Sequence, residues 1–212
     1  MQVKCFNKGI FDSNCYIVWD DETKDGLIID AGVDSVHLVD FITLHGINVK
    51  YILFTHCHFD HLYFVASLKE KTQTQSVIHK KDSPGFYDPK VNGSYHFGSS
   101  MTFGNADILV EQGDTLIVGN MNLEIIHTPG HSQGSICIKI QDNVFTGDTL
   151  FKHTIGRVDL PFSSPEDILI SIREKLYTLP AHTVVYPGHG PSTTIGFEVL
   201  HNRATWSKDD EA

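Results

Sequence analysis

The sequence predicts an α/β protein in which two β-sheets pack together and helices cover their outer faces. A block of short β-rich runs is followed by helical segments, and this order of strands and then helix occurs twice along the chain. A sheet must bury its apolar face, and two such halves can bury those faces against each other. With 212 residues and no linker or low-complexity segment, we expect a single domain spanning residues 1–212.

The first half is predicted to contain five strands and two helices. The strands share a high content of β-branched and aromatic residues and are bounded by turn residues: 2–8, 14–19, 26–30, 49–54 and 76–79. The run 49–54 is apolar without interruption, which is typical of a strand that is buried on both faces. One helix is expected at 36–44, where Gly46 ends it, and another at 62–71.

The second half is predicted to add five strands and two helices. Its strands are again short and rich in apolar residues: 116–118, 123–126, 135–140, 144–146 and 183–186. Ser164 can cap a helix that has Pro165 at its first position and ends at Pro180. A last helix is expected at 194–206, before a frayed acidic tail at 208–212.

Residues 82–107 form the longest segment without a predicted element. The segment combines turn residues such as Gly, Pro, Asn and Ser with several aromatic side chains. Long loops of this kind often serve as lids over active sites. A surface loop anchored by its aromatic residues is the equally open alternative.

Composition and charge exclude several classes of partner. The formal net charge of −10 disfavours a nucleic-acid partner, because such a surface repels phosphate groups. The chain has no apolar run long enough for a transmembrane helix and no apolar signal segment at its start. Four scattered cysteines, none in a C-x-x-C pair, indicate reduced thiols. We therefore expect a cytoplasmic protein with a small-molecule substrate, whose oligomeric state the sequence does not indicate.

The segment T-H-C-H-F-D-H at residues 55–61 is the strongest functional signal. In extended backbone, residues two apart project from the same face, so His56 and His58 can bind one metal ion. If the chain then turns into the following helix, Asp60 and His61 are directed to a neighbouring position. The spacing therefore predicts a site for two metal ions.

Three further candidate ligands lie downstream, and each follows a glycine at the end of a predicted strand: His131, Asp148 and His189. We assign three histidines to the first ion: His56, His58 and His131. Asp60, His61 and His189 are assigned to the second ion. Asp148 is predicted to bridge the two ions, since a carboxylate has two oxygens.

This ligand set predicts metal-assisted hydrolysis. Imidazole and carboxylate ligands without thiolates suit two divalent ions, with Zn²⁺ favoured and iron or manganese also compatible. Two ions about 3.5–4 Å apart can hold a shared water whose pKa falls toward about 7, and the resulting hydroxide is the nucleophile. One ion also polarises the substrate carbonyl. Asp60 is expected to take a catalytic part by orienting the hydroxide.

Four motifs in this order resemble the metallo-β-lactamase superfamily: T-H-C-H-F-D-H at 55–61, T-P-G-H-S-Q-G-S at 128–135, F-T-G-D-T-L-F at 145–151 and Y-P-G-H-G at 186–190. The resemblance implies a four-layer αββα sandwich with two metal ions at one edge. It also implies that Asp30, in I-I-D-A-G, supports the metal loop. Residues 156–161 and 190–198 are similar to the glyoxalase II branch, which implies hydrolysis of hydroxyacylglutathione thioesters.

The sequence departs from glyoxalase II at two places. Glyoxalase II carries a C-terminal helical domain that supplies much of its glutathione site, and this chain ends soon after His189. It therefore resembles the short, bacterial-type members of that branch. Members of the family often have glycines after the Asp-His pair, where this chain has bulky residues at 62–64. We expect these side chains to narrow the cleft or to alter the packing of the following helix.

Other functions are compatible with the same motifs. A lactonase would use the same hydroxide. A persulfide dioxygenase would use a single iron, with ligands that match His56, His131 and Asp148. The acidic surface disfavours an RNA-processing nuclease, fold alone does not assign a β-lactamase, and an intact ligand set disfavours a non-catalytic binding module. We also expect two residues near Asp148 in sequence to support the site, His153 and Arg157.

Overall fold

The computed structural model describes residues 1–206, so the predicted tail at 208–212 lies outside the described residues. The first sheet has six strands that lie side by side in chain order: β1 (Gln2–Phe6), β2 (Cys15–Trp19), β3 (Asp25–Ile29), β4 (Asn48–Leu53), β5 (Gln75–His79) and β6 (Ile108–Val110). Strands β1, β2 and β3 are antiparallel, whereas β3 to β6 run parallel. Helix α1 (Ser35–His45) connects β3 to β4, and helices α2 (Phe59–Leu62) and α3 (Val65–Thr72) connect β4 to β5.

The second sheet also has six strands. In chain order the remaining strands are β7 (Thr115–Val118), β8 (Met121–His127), β9 (Ile136–Ile140), β10 (Asn143–Gly147), β11 (Leu150–Phe151), β12 (Thr154–Ile155), β13 (Val184–Pro187) and β14 (Thr193–Thr194). The sheet order is β14-β13-β10-β9-β8-β7, and β11 and β12 form a separate hairpin. Helix α4 (Pro165–Ser171) continues as a π-helical turn at Ile172–Leu176, and α5 (Ile195–His201) follows β14.

The side chains of each strand alternate between two cores, which produces four layers. On the first sheet, Ile17 and Ile28 point toward a core that includes residues of α1 and α3. Their neighbours Val18 and Leu27 point to the other face, where they share a core with Phe145 of the second sheet. A third core lies between the second sheet and α4. The predicted αββα sandwich is therefore confirmed.

Helix ends that depend on neighbouring residues were predicted correctly, whereas helix ends that depend on long-range contacts were not. Asp34 caps α1 by accepting a hydrogen bond from the Val36 amide, and Gly46 ends the helix with a φ of 63°. Ser164 caps α4 as predicted, accepting from the Asp167 amide at 3.2 Å. The helix predicted at 62–71 is present as α3 but begins at Val65, because Leu62 is the last residue of the separate helix α2.

The break between α2 and α3 has a long-range cause. The Phe64 amide donates to the carbonyl oxygen of Ala31 at 2.9 Å, instead of continuing the helix of α2. The predicted helix at 194–206 is also shorter, since α5 ends at His201. There the buried Asn202 side chain donates to the carbonyl oxygen of Thr154 at 3.0 Å, which ties the chain to the β11–β12 hairpin.

Residues 82–107 are held in place by internal contacts. The segment contains two 3-10 turns, Ser83–Phe86 and Ser94–Phe97. The side-chain amide of the buried Asn92 donates to the carbonyl oxygens of Gly85 and Met101, at 2.8 and 3.0 Å. Its role as a lid stays a prediction. Within residues 1–206, no helix is long and apolar enough to cross a membrane.

Candidate metal centre

The seven predicted ligands lie close together, in segments that directly follow the ends of four strands. The loop after β4 carries His56 and His58, and α2, which follows at once, carries Asp60 and His61. The other three ligands come from the second sheet: His131 after β8, Asp148 directly after β10, and His189 after β13. The side chains of His56, His58, His61 and His131 are almost fully buried. Both halves of the sandwich therefore contribute to one cluster.

The donor atoms form three clusters, of which two are the predicted groups and the third joins His56, His61 and Asp148. Those of His56, His58 and His131 all lie within 4.8 Å of one another, and so do those of Asp60, His61 and His189. His58 Nδ1 is 2.8 Å from His131 Nε2. In the second group, His61 Nε2 lies 3.3 Å from His189 Nε2. Each group offers three donors that can face one small ion.

Asp148 lies between the two groups. Its Oδ1 atom is 3.5 Å from His61 Nε2. Its Oδ2 atom is 3.5 Å from His131 Nε2 and also 3.5 Å from His189 Nε2. The carboxylate thus contacts a histidine of each group, which is the position that a bridging ligand requires.

Two buried atoms in the cluster have no hydrogen-bond partner among the described residues. They are His56 Nε2 and Asp148 Oδ1. Buried polar atoms in folded proteins almost always have a partner, so both need an explanation. A divalent cation would satisfy both atoms, and imidazole with carboxylate is a donor set that suits zinc, iron or manganese. The residues therefore fit two divalent ions.

Asp30 orients the second group, in the supporting position implied by the resemblance. It follows β3 with a φ of 62° and is almost fully buried. Its Oδ2 atom is 2.9 Å from His61 Nδ1, and its Oδ1 atom accepts from the Thr55 amide at 2.9 Å. A carboxylate on the far nitrogen of a histidine fixes the tautomer that presents the other nitrogen to a metal.

Asp82, which no sequence motif singles out, connects two of the segments that carry ligands. This buried carboxylate accepts hydrogen bonds from the Cys57 amide at 3.0 Å, from the Ser132 hydroxyl at 2.6 Å and from the Gly134 amide at 2.6 Å. The first donor lies between His56 and His58 in sequence, and the others follow His131. The only available signal was an aspartate at the start of the long segment 82–107.

The two other predicted supporting residues differ in their positions. The backbone carbonyl of Arg157 is 2.8 Å from His131 Nδ1, whereas its guanidinium group points to Asp159. Arg157 thus supports His131 through its main chain. His153 is exposed, and its ring packs against Phe197 with centroids 4.9 Å apart. Within the described residues, the contacts of His153 are with α5 rather than with the seven ligands.

Burial keeps the histidines of the first group neutral. It lowers the pKa of His58 to about 3 and that of His131 to about 4. The pKa of His56 is also well below its ordinary value, first because of burial and then because of its histidine neighbours. Neutral imidazole is the form that binds a metal ion.

Nearby carboxylates determine the pKa of His61 in the second group. Burial alone would lower the pKa of His61, but Asp30, Asp60 and Asp148 outweigh it and raise this pKa to about 10. Burial would raise the pKa of Asp60, yet His61 and the neighbouring histidines lower it. The group therefore holds an excess of negative charge that favours a cation, either a proton or a metal ion.

A cleft of about 530 Å³ opens over the cluster. Five of the predicted ligands line it: His58, Asp60, His131, Asp148 and His189. Its walls also include phenylalanines from separate parts of the chain: Phe11, Phe59, Phe97 and Phe151. Gly188 lets the chain pass close to the ligands, since a Cβ there would overlap Asp148 Oδ1 and come within 2.9 Å of His61 Cε1. The cluster is therefore open to a small molecule on one side.

The sequence matches known families along most of its length. Residues 9–189 match the sequence profile of the metallo-beta-lactamase superfamily. The chain is 38% identical to the probable metallo-hydrolase YqgX of Bacillus subtilis, over 88% of this chain and 89% of that protein. It is 33% identical to the hydroxyacylglutathione hydrolase GloC of Haemophilus influenzae, over 95% of this chain and 97% of that protein.

Solved structures give the same result. BLEG-1, a B3 metallo-beta-lactamase, superposes with a TM-score of 0.92 at 34% identity and covers 97% of this chain and 100% of its own. TTHA1623 in a di-iron-bound form has a TM-score of 0.83 at 32% identity, over 94% and 98% of the two chains. ETHE1 from Myxococcus xanthus has a TM-score of 0.81 at 26% identity, over 99% and 88%. The chain belongs to the metallo-beta-lactamase superfamily and is a metal-dependent hydrolase of that superfamily.

Proposed function

We propose that this protein hydrolyses thioesters, as a glyoxalase II-like enzyme with two divalent ions. The observation that carries the proposal is the convergence of seven donor side chains, two of them with unpartnered buried atoms, at the floor of an open cleft. The choice of thioesters is supported by the similarity to a hydroxyacylglutathione hydrolase over nearly the whole chain.

The residues of this chain have different roles, which depend on their positions in the site. When bound, the metal ions supply an activated water and an electrophile for the substrate carbonyl. His56, His58 and His131 would hold one ion, Asp60, His61 and His189 would hold the other, and Asp148 would be shared. Asp60 also lines the cleft and has a lowered pKa, so it stays ionised and can accept a hydrogen bond from the attacking water. Zn²⁺ is the metal we propose, and the di-iron neighbour makes iron the main alternative.

Two alternatives share this centre. The similarity to ETHE1 favours a test for the persulfide dioxygenase activity considered above, in which a single iron would be bound by His56, His131 and Asp148. The second group of donors, Asp60, His61 and His189, is as compact as the first and could hold a second ion, so the number of bound ions distinguishes the two activities. A lactonase would use the same centre as a thioesterase, and only its substrates would differ.

Purification with metal quantification, followed by a substrate panel, tests the proposal. The panel contains S-lactoylglutathione, simple acyl thioesters, lactones, a β-lactam and glutathione persulfide, the last with an oxygen electrode. We expect close to two metal equivalents, turnover of thioesters and no oxygen consumption. One equivalent of iron with oxygen uptake would replace the proposal by the dioxygenase, and turnover of lactones alone would replace it by the lactonase.

Substitutions connect the activity to the centre. We expect His58→Ala to lose metal and activity together, whereas the control His182→Ala, whose side chain is 69% exposed, keeps both. Asp148→Ala should lower metal occupancy at both positions. Unchanged occupancy in Asp148→Ala would show that this carboxylate is not shared, and turnover by His58→Ala would contradict the proposed mechanism.

A further inference from the structure

Three phenylalanines form one apolar wall of the cleft. Phe11, Phe59 and Phe97 contact one another pairwise, with ring centroids 5.2 to 5.5 Å apart. Phe59 lies between two predicted ligands in sequence and is 6% exposed, whereas Phe11 is 57% exposed and Phe97 is 51% exposed. All three line the cleft over the metal centre. Two large apolar rings thus face solvent beside a polar site.

Backbone contacts place these rings against the site. Phe11 has a φ of 54° and a ψ of 32°, a left-handed conformation that is unfavourable for a bulky residue. The turn that carries it is fixed by the Ile10 amide, which donates to the carbonyl oxygen of Gly32 at 3.0 Å. Phe97 belongs to the 82–107 segment, which docks on α2 because the Phe59 amide donates to the carbonyl oxygen of Asn92 at 3.0 Å. The wall is therefore built from three separate segments.

Two polar side chains of the cleft lining, those of Asn92 and Arg157, are already occupied by other contacts. Within residues 1–206, Arg157 is the one Lys or Arg that lines the cleft, and its guanidinium group donates two hydrogen bonds to Asp159, at 2.7 and 2.9 Å. The amide group of Asn92 is used by Gly85 and Met101. The wall therefore offers a substrate mainly apolar contact. An apolar wall beside reactive groups favours a ligand with a matching apolar part.

We infer that the substrate is a thioester with an apolar acyl group, which packs on Phe11, Phe59 and Phe97 while its carbonyl lies over the metal ligands. This inference rests on the proposed thioester hydrolysis. The thiol carrier then lies toward Thr154 and Arg157, which line the cleft from a different segment of the chain. The specificity-determining side chains are Phe11 and Phe97, because they carry the exposed area that the acyl group covers.

Acyl-chain length gives a direct kinetic test. The probes are acyl thioesters of N-acetylcysteamine, an uncharged carrier, from acetyl to octanoyl, with lactoyl and isobutyryl as an isosteric pair. Burying a methylene group is worth about 0.8 kcal/mol, or about four-fold in kcat/KM, for each carbon until the wall is covered. We expect that increase with the metal-loaded protein, and we expect isobutyryl to be preferred over lactoyl.

Variants show whether the wall causes the length dependence. Phe11→Ala and Phe97→Ala should each reduce the four-fold increase in kcat/KM per carbon toward no increase. The two variants are made separately, so that misfolding of one does not end the test. Phe162→Ala is the matched control, since Phe162 is 54% exposed with a φ of 67° and does not line this cleft. If the dependence of kcat/KM on acyl length survives in both variants, the acyl group does not bind on this wall and the inference is overturned. The inference is also overturned if Phe162→Ala abolishes the dependence to the same extent.

Binding without turnover separates this inference from the proposed function. Calorimetry measures the affinity of S-alkyl-N-acetylcysteamine thioethers, which cannot be hydrolysed, for the same metal-loaded protein. If no thioester is turned over but affinity rises with alkyl length and falls in Phe11→Ala, the proposed function is wrong and the apolar wall stands. If thioesters are hydrolysed but neither affinity nor kcat/KM depends on length, the inference is overturned and the proposed function stands. Absence of both effects overturns both.

Discussion

Replacing Asp82 by alanine should weaken both the fold and the metal centre. The carboxylate accepts three hydrogen bonds in a buried position, from Cys57, Ser132 and Gly134. In Asp82→Ala the Ser132 hydroxyl can still use Ser135 Oγ, which lies 2.6 Å away. The amides of Cys57 and Gly134 lose their partner and remain buried.

The size of the effect follows from these two amides. A buried N–H group without a partner costs about 1–3 kcal/mol, so the two amides together cost about 2–6 kcal/mol. Burial raises the pKa of Asp82, which shows that the carboxylate itself is costly to bury. Its removal offsets part of the loss, and we therefore expect about 2–3 kcal/mol. For a chain of this length, that corresponds to a decrease in Tm of about 4–12 °C.

The effect on metal binding is separate from the effect on stability. Asp82 positions the segments on both sides of the first group, and loss of such support typically weakens metal affinity about 10–100-fold. Thermal unfolding of the metal-free protein measures the first effect, and competition with a chelator measures the second. Both effects are expected in Asp82→Ala.

Asp107→Ala is the matched control for Asp82→Ala. Asp107 also accepts three contacts, from the amide and hydroxyl of Ser76 at 2.7 Å each and from Lys69 Nζ at 2.5 Å. It joins β5 to the segment before β6, and it contacts none of the predicted ligand segments. We expect it to lower stability without changing metal affinity. Wild-type metal affinity in Asp82→Ala, or an equal loss of affinity in Asp107→Ala, would show that Asp82 does not support the metal centre.

Three further predictions concern the ligands and their surroundings. Asp30→Asn should weaken metal affinity about 10–100-fold, measured by chelator competition, because it removes the carboxylate that holds His61. The stability of the metal-free protein should fall as the pH decreases from 6.5 to about 4, because His131 stays neutral in the fold while it takes up a proton in the unfolded chain. Chemical denaturation across this range should show a smaller decrease in His131→Gln. Gly188→Ala should lower the metal content measured after purification, since the added Cβ would displace Asp148.

The ligands could be predicted from the sequence because each has a side chain that binds metal ions and lies in a short, recognisable motif. His131 and His189 follow Pro-Gly pairs at strand ends, so residue type and position agree. The convergence of these strand ends was implied by the four-layer fold, which the structure confirms. The cap at Ser164 was predictable for the same reason, because a helix start depends on its nearest neighbours.

The features that could not be predicted from the sequence depend on contacts between residues that are distant in sequence. Asp82 is 50 residues from Ser132, and nothing near it in sequence indicates that partner. His153 is close to Asp148 in sequence, but its own φ of 66° lies in a turn that directs the ring to α5. Phe11 was not singled out, because its left-handed conformation and its contacts with Phe59 follow from tertiary packing.

Four aspartates around the centre show how the surroundings of a carboxylate determine whether it is a metal ligand or a structural support. Asp30 and Asp82 accept hydrogen bonds at 2.6 to 3.1 Å from amides and hydroxyls, and Asp30 also holds a histidine at 2.9 Å, so their oxygens are occupied by the protein. Asp60 and Asp148 face imidazole nitrogens at 3.4 to 3.6 Å, and Asp148 Oδ1 has no hydrogen-bond partner among the described residues. A carboxylate whose oxygens are filled by protein donors has little capacity left for a cation. The same residue type therefore serves as scaffold in two places and remains available to metal in the other two.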